Sequence, residues 1–262
     1  ENPEERIKYI IDDAKISMML STTDHIRVLN RLQWECKTFG TYLCLDEENV
    51  YEAHEKEKNQ LMNTLLWQQV ADDAVDDIEA GGWKNSYTGE DLSKEEMAEY
   101  SSNIFEKLKP HLHKDLKVLE IGCASGLSMY RIAPLVNMYY GTDLSNSIIE
   151  KNKKKVEEEH ISNIKLACLQ AGEINKLDDN NFDIVIINSV IQCFHGHNYL
   201  RKVITKVVDK LGEKGLLFIG DVMDQDSKEE LIKSLMDFKN NHSESNYRTK
   251  TDFSNELFVS RS

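Results

Sequence analysis

The chain has 262 residues, a formal net charge of −14 and an isoelectric point near 5.1. This length is enough for one large domain, or for a domain with an appendage, and for a sizeable core. Because proteins that hold nucleic acid neutralise its phosphates with Lys and Arg, the acidic balance argues against a nucleic-acid partner. No apolar run approaches the roughly 20 residues that span a bilayer, so we expect no membrane association.

The five cysteines are scattered, without a Cys-x-x-Cys pair or a regular framework. An odd number of such cysteines in a chain of this size favours reduced thiols. We therefore expect a cytoplasmic protein, and the sequence predicts no metal site.

The first 93 residues predict an N-terminal fragment and a helical lid. Residues 7, 10 and 11 are isoleucines at helical spacing, and residues 16–21 are strand-like. Residues 49–80 are rich in Glu and Asp, with apolar residues mostly three to five apart. This spacing predicts one or two amphipathic helices that lie over the core.

A new helix is expected over residues 94–108. Glycines and aromatic residues break the helical pattern in residues 81–90, and Ser93 and Glu96 then have the spacing of a capping box. Pro110 ends this helix. We place the boundary between the N-terminal fragment and the core here, with the core over residues 94–262.

The residues from 117 onward predict a strand, a glycine loop and a helix. Gly122 and Gly126 allow the backbone to turn sharply and to approach a ligand, and the following helix offers unpaired N–H groups. Asp143 ends the next strand and lies 23 positions after Glu120, close to the roughly 20-residue offset at which an acidic residue holds a ribose. Together they predict a nucleoside-binding crevice.

Strands and helices alternate through the rest of the core. Strands are expected over residues 164–169, 182–188 and 215–221, and helices over residues 146–158, 198–211 and 226–238. Such alternation predicts an α/β fold with a mostly parallel sheet and helices on both faces. In these sheets ligands bind beyond the carboxyl ends of the strands. After residue 226 only one further strand is visible, over residues 257–260.

The glycine loop reads Glu120-Ile-Gly122-Cys-Ala124-Ser-Gly126 and resembles the E-x-G-x-G-x-G motif of class I S-adenosylmethionine-dependent methyltransferases. Ala124 replaces the middle glycine, a change that fits if the backbone there has φ < 0. The resemblance implies a Rossmann-like fold and S-adenosyl-L-methionine as cofactor. Dehydrogenases instead need G-x-G-x-x-G, which this loop lacks.

The same resemblance implies the roles of individual residues. The glycine loop borders the methionine part, Asp143 holds the ribose, residues 171–173 touch the adenine, and residues 188–192 close the methyl-transfer side. The flanking glycines favour Tyr87 as a lid contact to the cofactor or acceptor. The expected cofactor-binding residues are Glu120, Gly122, Cys123, Ala124, Gly126, Asp143, Leu144, Ala171, Gly172, Glu173, Asn188, Ser189 and Tyr87.

Four further stretches, Trp83 to Glu90 (WKNSYTGE), 140–145 (YGTDLS), 188–192 (NSVIQ) and 218–224 (FIGDVMD), are similar to methyltransferase domains embedded in polyketide synthases and nonribosomal peptide synthetases. The first 45 residues resemble a fragment of an adenylation domain without its phosphate loop. These resemblances imply an acyl-carrier-protein-tethered substrate and neighbouring synthase domains as partners.

Methyl transfer is an in-line displacement, and a hydroxyl acceptor must also lose its proton. Because the pKa of histidine lies near neutral pH, we expect His197 as the base, with His195 second, and Asp221 or Asp224 as the carboxylate that orients the ring. A helix cap is the structural alternative for each histidine. We expect O-methylation of a tethered polyketide; N-methylation of an aminoacyl or peptidyl group, C-methylation of a β-ketoacyl group and an inactive scaffold remain alternatives.

Overall fold

The structure, a computed structural model, describes residues 3–44, 61–74, 79 and 81–260. Its strands are β1 (Met18–Ser21), β2 (Thr41–Cys44), β3 (Lys117–Ile121), β4 (Met138–Asp143), β5 (Ile164–Cys168), β6 (Phe182–Asn188) and β7 (Leu211–Gly220). The α-helices of these residues are α1 (Pro3–Ala14), α2 (Ile26–Glu35), α3 (Thr64–Asp73), α4 (Lys94–Leu108), α5 (Leu127–Ile132), α6 (Asn146–Glu158), α7 (His197–Lys210) and α8 (Lys228–Asn241).

The main sheet has the strand order β5-β4-β3-β6-β7, and every pair in it is parallel. Within this sheet the first strand in the sequence is the central strand β3. The chain adds β4 and β5 on one side and then crosses back to add β6 and β7 on the other. This reversal between β3 and β6 creates the crevice in which open α/β sheets bind ligands. The predicted parallel sheet and Rossmann-like α/β class are confirmed.

Alternate residues of β3 face two different parts of the core. Leu119 and Ile121 pack in a cluster with residues of α7, and Val118 packs in a cluster with residues of α4 and α5. This alternation follows from the two-residue period of a strand. Helices therefore cover both faces of the sheet, as the sequence predicts.

The helix expected from the capping box is present as α4. The Ser93 hydroxyl accepts a hydrogen bond from the Glu96 N–H at 3.2 Å, and the Glu96 carboxylate accepts one from the Ser93 N–H at 2.8 Å. These two bonds satisfy N–H groups that otherwise lack partners at a helix start. They fix the first residue of the helix that packs beside the glycine loop.

The N-terminal residues form a small unit with its own core. The parallel strands β1 and β2 pack with α1 and α2 around Ile11, Leu32 and Phe39. The predicted helix and the strand at residues 16–21 are both present, and α2 and β2 are additional. The Asn198 side chain of α7 donates a hydrogen bond to the Asn30 side chain of α2 at 2.9 Å. The N-terminal unit therefore contacts a helix that packs on the main sheet.

The expected lid helices are described in part. Helix α3 lies within the predicted stretch, and its Asn63 side chain accepts a hydrogen bond from the Leu65 N–H. Residues 49–60, 75–78 and 80 of that prediction lie outside the described residues. Every helix in the described part of the chain is too short or too polar to cross a bilayer.

The C-terminal segment departs from the expected strand. Residues 257–260 contribute a single parallel bridge between Val259 and Asp224 instead of a strand. The segment is held by hydrogen bonds from the Leu257 N–H to the Gln192 carbonyl and from the Val259 N–H to the Met223 carbonyl, each at 2.9 Å. It therefore packs along the loops that follow β6 and β7.

Candidate active site

The glycine loop after β3 requires three left-handed residues. Gly122, Ala124 and Gly126 have φ of +79°, +43° and +87°. A Cβ at Gly122 would lie 2.4 Å from Val190 Cγ2, so no larger residue fits there without movement. The expectation that Ala124 has φ < 0 is wrong. Hydrogen bonds of the Ala124 N–H and of the Ala124 carbonyl hold the backbone in this strained conformation.

These hydrogen bonds link the loop to β4 and α6. The Ala124 N–H donates to Asp143 Oδ2 at 3.1 Å, and its carbonyl accepts from Asn152 Nδ2 at 2.7 Å. The other carboxylate oxygen of Asp143 accepts from the Ser145 N–H at 2.9 Å. Burial raises the pKa of Asp143, and the backbone N–H groups oppose that rise by favouring the ionised form.

A cavity opens at this point, which we call the cofactor cavity. It encloses about 790 Å³ of empty space, a volume that includes the part open to solvent. Seven of the residues expected to contact the cofactor line it: Gly122, Ala124, Asp143, Leu144, Ala171, Asn188 and Ser189. The structure thus brings together residues from four separate loops at the carboxyl edge of the sheet.

Most of the remaining lining is apolar, and sequence reasoning missed it. These residues include Met62, Trp67, Trp83, Ile148, Leu169 and Phe194. Trp83 lies in the WKNSYTGE stretch and could have been found from that resemblance. Met62 and Trp67 come from the segment before and within α3, where no motif distinguishes them from other apolar residues.

The cofactor cavity fits S-adenosylmethionine. Asp143 offers carboxylate oxygens with lone pairs beyond the two used by backbone N–H groups, as a ribose diol requires. Gly122 presents only backbone atoms to the cavity. The apolar wall beside Ala171 suits an adenine ring. Each requirement is met by residues already in place.

The Glu120 and Cys123 side chains of the glycine motif lie beneath the loop and do not line this cavity. The Glu120 side chain is buried and accepts a hydrogen bond from the Tyr139 hydroxyl at 2.8 Å. Burial raises the pKa of Glu120 to about 7. Cys123 is buried against α6, and burial raises the pKa of its thiol. Both side chains support the loop from beneath instead of contacting a ligand.

Of the three residues expected on the adenine side, Ala171 lines the cofactor cavity and its two neighbours do not. The Gly172 N–H donates to the Tyr199 hydroxyl at 2.8 Å, so this backbone is tied to α7. The Glu173 carboxylate pairs with Lys176 on the surface. Neither residue lines the cofactor cavity, because the short 3-10 helix at Ala171–Lys176 turns them away from it.

Two further expected contacts also lie elsewhere. Gly126 is the N-cap of α5 and does not line the cofactor cavity. Tyr87 packs edge-on against Phe238 of α8, with ring centroids 5.2 Å apart, and its hydroxyl lies 3.1 Å from Ser234 Oγ. Tyr87 therefore joins residues 81–90 to α8 and makes no lid contact to the cavity.

A polar cluster closes the cofactor cavity at the ends of β6 and β7. Ser189 has φ of +55°, and its hydroxyl donates to Asp221 Oδ2 at 2.6 Å. The Tyr100 hydroxyl contacts Ser189 Oγ and accepts from Asn188 Nδ2. Burial raises the pKa of Tyr100 to about 12, so this phenol is neutral near pH 7. The cluster connects α4 with both strand ends.

A second cleft, which we call the acceptor cleft, adjoins the cofactor cavity. Trp83, Ser189 and Cys193 line both, and the acceptor cleft continues along Gln192 and Asp221. Burial raises the pKa of Cys193 to about 12, which keeps its thiol protonated. The Asp221 carboxylate is linked to the cofactor cavity through its hydrogen bond with Ser189, which lines that cavity.

The two predicted base histidines lie on the other side of this segment. His195 and His197 line a separate cavity with Arg27, Arg31 and Lys228, which we call the basic cavity. Neither lines the cofactor cavity or the acceptor cleft, which corrects their expected position at the crevice mouth. The 3-10 helix Ile191–Cys193 turns the chain before it reaches them.

The electrostatics of His197 do not favour a base role. Burial, together with the charges of Arg31 and Arg201, lowers the pKa of His197 to about 4. The Asp224 carboxylate accepts hydrogen bonds from the Asp226 N–H at 3.0 Å and from the Ser227 hydroxyl at 2.8 Å. Asp224 thus stabilises the turn before α8, and Asp221 accepts a hydrogen bond from Ser189. The two carboxylates expected to orient a histidine ring therefore have these other partners.

The family model described as "Methyltransferase domain" matches residues 112–256, more than half of the chain. The chain belongs to this family. It is an S-adenosylmethionine-dependent methyltransferase with the Rossmann-like fold, and the curated proteins to which it is similar include nonribosomal peptide synthetases.

Three of these relatives illustrate the relation. The chain is 38% identical over 141 residues to a probable non-canonical nonribosomal peptide synthetase, CymA, of Salinispora arenicola, covering 54% of the chain and 2% of the relative. It is 34% identical over 177 residues to chondramide synthase of Chondromyces crocatus, covering 64% and 4%. It is 33% identical over 144 residues to enniatin synthetase of Fusarium oxysporum, covering 54% and 4%. The chain spans only a few per cent of these relatives' length.

A solved structure shows the same fold. Phosphoethanolamine N-methyltransferase 1 of Haemonchus contortus aligns with a TM-score of 0.51 and 17% identity, covering 68% of this chain and 34% of that one. A methyltransferase of Clostridium acetobutylicum aligns with a TM-score of 0.44 and 20% identity, covering 52% and 54%. At these identities the likeness concerns the fold alone.

Proposed function

We propose that this methyltransferase domain N-methylates the amine of an aminoacyl or peptidyl group tethered to a carrier protein. The observation that carries the proposal is the position of Asp221. This carboxylate lies in the acceptor cleft and accepts a 2.6 Å hydrogen bond from Ser189, a residue that also lines the cofactor cavity. The peptide-synthetase relatives support an amine-bearing acceptor.

The cofactor side of the reaction rests on the cofactor cavity. S-adenosylmethionine supplies an electrophilic methyl group on a sulfonium. Asp143 would hold its ribose, Ala171 its adenine, and the loop containing Gly122 and Ala124 its methionine part. These contacts fix one reactant and exclude water from it, which converts the displacement into a reaction between two positioned groups.

The acceptor side rests on Asp221. Its carboxylate can accept a hydrogen bond from the acceptor N–H and so orient the nitrogen lone pair towards the cofactor cavity. After methyl transfer the new ammonium group releases a proton. Because Asp221 is exposed in the cleft, that proton can pass to the carboxylate or to water.

An amine acceptor also suits the groups that the cleft offers. A neutral amine attacks through its own lone pair, whereas a hydroxyl benefits from a base that removes its proton. No histidine lines the acceptor cleft or the cofactor cavity within the described part of the chain. The expectation of O-methylation rested on His195 and His197, and their position removes that support.

The test is a direct comparison of acceptors. We would incubate the chain and S-adenosylmethionine with N-acetylcysteamine thioesters of alanine, lactate and acetoacetate, which differ chiefly in the acceptor group. Mass spectrometry should show one added methyl on the alanyl thioester alone, placed on nitrogen by fragmentation. Methylation of the lactyl oxygen or the acetoacetyl carbon would overturn the proposal.

Binding of the cofactor is measured alongside by calorimetry with S-adenosylmethionine and S-adenosylhomocysteine. Intact binding with no methylation of any acceptor, including aminoacyl groups on carrier proteins, would favour a scaffold role. This control separates a wrong acceptor class from a chain that does not bind the cofactor.

A further inference from the structure

The basic cavity brings together two cationic side chains from separate elements. Arg27 belongs to α2 and Lys228 is the first residue of α8, and both line the cavity. The Arg27 guanidinium donates to the Ser254 carbonyl at 3.1 Å, and Lys228 Nζ lies 4.2 Å from the centre of the Phe258 ring. Such convergence is notable in a chain with a net charge of −14.

The two charges lie close enough to affect each other. Burial is the main factor that lowers the pKa of Lys228, the charge of Arg27 lowers it further, and the charges of Glu256 and Asp252 oppose that decrease. Folding therefore places two cations near each other at an energetic cost, and an anion between them would offset that cost.

The amino-terminal end of α7 opens into the same cavity. Gly196 is its N-cap, makes no side-chain cap hydrogen bond, and lines the cavity together with His197. The first N–H groups of a helix have no partners within it, and the helix dipole adds partial positive charge there. In a helix of 14 residues this end is a favourable place for an anion.

Glu256 offsets part of this charge, and the other ionisable residues of the lining are paired or neutral. Glu256 pairs with Lys250 at 2.6 Å, and Arg31 pairs with Glu4 at 2.7 Å. The low pKa of His197 keeps its imidazole neutral near pH 7, so it can donate a hydrogen bond but adds no charge. The cavity consequently keeps the positive charge of Arg27, Lys228 and the helix end.

The basic cavity lies next to the acceptor cleft. Gln192 lines the cleft and His195 lines the cavity, and three residues of chain span at most about 11 Å. Glu256 lines both. A single elongated ligand can therefore place an anionic group in the basic cavity and its reactive end in the cleft.

We propose that the basic cavity binds the phosphate group of the pantetheine arm that carries the acceptor thioester. This proposal rests on the proposed function, because a tethered acceptor arrives on such an arm. The planar guanidinium of Arg27 and the first N–H groups of α7 can donate hydrogen bonds to phosphate oxygens, which accept several such bonds at once. Lys228 supplies a second cation to the same group.

The test compares two alanyl thioesters, one on 4′-phosphopantetheine and one on pantetheine, so that they differ only in the phosphate. The unmodified chain should show a KM about 10-fold lower for the phosphorylated acceptor, because charge-assisted hydrogen bonds are the stronger class. In the double variant Arg27→Gln/Lys228→Gln this preference should vanish. Its KM for the pantetheine acceptor, its kcat and its cofactor affinity should stay unchanged.

The matched control is Arg6→Gln/Lys233→Gln, which removes the same charge from exposed positions of α1 and α8 outside the basic cavity. This variant should keep the preference. Equal KM values for the two acceptors in the unmodified chain would overturn the proposal. So would an equal loss on both acceptors in the double variant, since that pattern indicates a structural role.

A binding measurement separates this proposal from the function on which it rests. Calorimetry should show tighter binding of 4′-phosphopantetheine than of pantetheine to the unmodified chain, and loss of that difference in the double variant, even if no acceptor is methylated. Inorganic phosphate should bind more weakly than 4′-phosphopantetheine. Equal affinity for inorganic phosphate would indicate a site for free phosphate and overturn the assignment to the arm.

Discussion

The loops that follow β3 and β6 start side by side at the carboxyl edge of the sheet, yet they relate differently to the cofactor cavity. The loop after β3 is short and enters α5 at once, and Gly122 and Ala124 both line the cavity. The segment after β6 is longer. Its first part, with Ser189, lines the cavity, and its last part, with His195 and His197, lines the basic cavity.

This difference shows that the position of a residue in the sequence predicts its position at the sheet edge only when the loop is short. Between Ser189 and His197 the backbone takes a left-handed residue and a 3-10 turn, each of which changes its direction. The histidines lie eight residues or fewer from the transfer side in sequence but face α2 in space. Variants in the two loops test this contrast.

The largest expected effect is at the near end of the β6 segment, where Ser189 contacts Asp221. Asp221→Asn should lower kcat/KM for an aminoacyl thioester by at least about 100-fold, because the neutral amide accepts a weaker hydrogen bond from the acceptor N–H and orients its lone pair less well. Calorimetric affinity for S-adenosylhomocysteine should not change. Asp226→Asn, an exposed carboxylate outside the acceptor cleft, is the matched control. Unreduced turnover in Asp221→Asn would remove Asp221 from the acceptor side.

The second prediction concerns Glu120, whose pKa is raised to about 7 by burial. Between the ordinary carboxyl pKa and 7 the folded state binds more protons than the unfolded state, so stability falls as pH rises through this window. Glu120→Gln keeps an acceptor for the Tyr139 hydroxyl and removes that fall. The variant should match the parent near pH 4 and exceed it by up to about 3 kcal/mol above pH 7.

Denaturant unfolding measured across this pH range checks the prediction. The surface variant Glu173→Gln should show no comparable gain. A constant difference between Glu120→Gln and the parent at all pH values would mean that Glu120 does not titrate in this window. Glu120 would then behave like the surface residue Glu173.

Local signals account for what the sequence predicts well. The capping box at Ser93 and the apolar run of β3 each fix an element through interactions within a few residues. The helix α4 has the expected bounds, and β3 begins at the expected residue. The cofactor cavity is harder, because Trp67 reaches it from a segment far away in sequence. Gly172 and Glu173 were misplaced because a 3-10 helix, not a strand end, determines where they point.

The third prediction tests the loop after β3. Asp143→Asn should weaken binding of S-adenosylhomocysteine by about 10- to 100-fold, because a charged acceptor for the ribose hydroxyls is replaced by an amide. Glu173→Gln, which changes the other acidic residue expected at the cofactor, should leave the affinity unaltered because its side chain pairs with Lys176 on the surface. Calorimetric titration of both variants with S-adenosylhomocysteine shows which of the two acidic residues contributes to cofactor binding. Equal effects would contradict the cavity as described.

A smaller effect is expected from relieving strain in the same loop. Ala124 has φ of +43°, which favours glycine, so Ala124→Gly should raise the free energy of unfolding by up to about 1 kcal/mol. Ala133→Gly is the matched control, since Ala133 has a right-handed backbone and should be destabilised by a similar amount. Thermal or denaturant unfolding measures both. Destabilisation of Ala124→Gly would show that the alanine methyl contributes packing that exceeds the strain.

The smallest expected effect is at the far end of the β6 segment. His197→Gln should change kcat for a phosphate-free aminoacyl thioester by less than about twofold, because His197 lines the basic cavity and its pKa of about 4 leaves no base that titrates near neutral pH. Activity is expressed per folded protein, since a buried side chain is altered. A loss of more than about tenfold with unchanged cofactor affinity would restore His197 as the base. Such a loss would require the segment after Ser189 to take a different path when an acceptor binds, and the contrast between the two loops would then describe only one state of the domain.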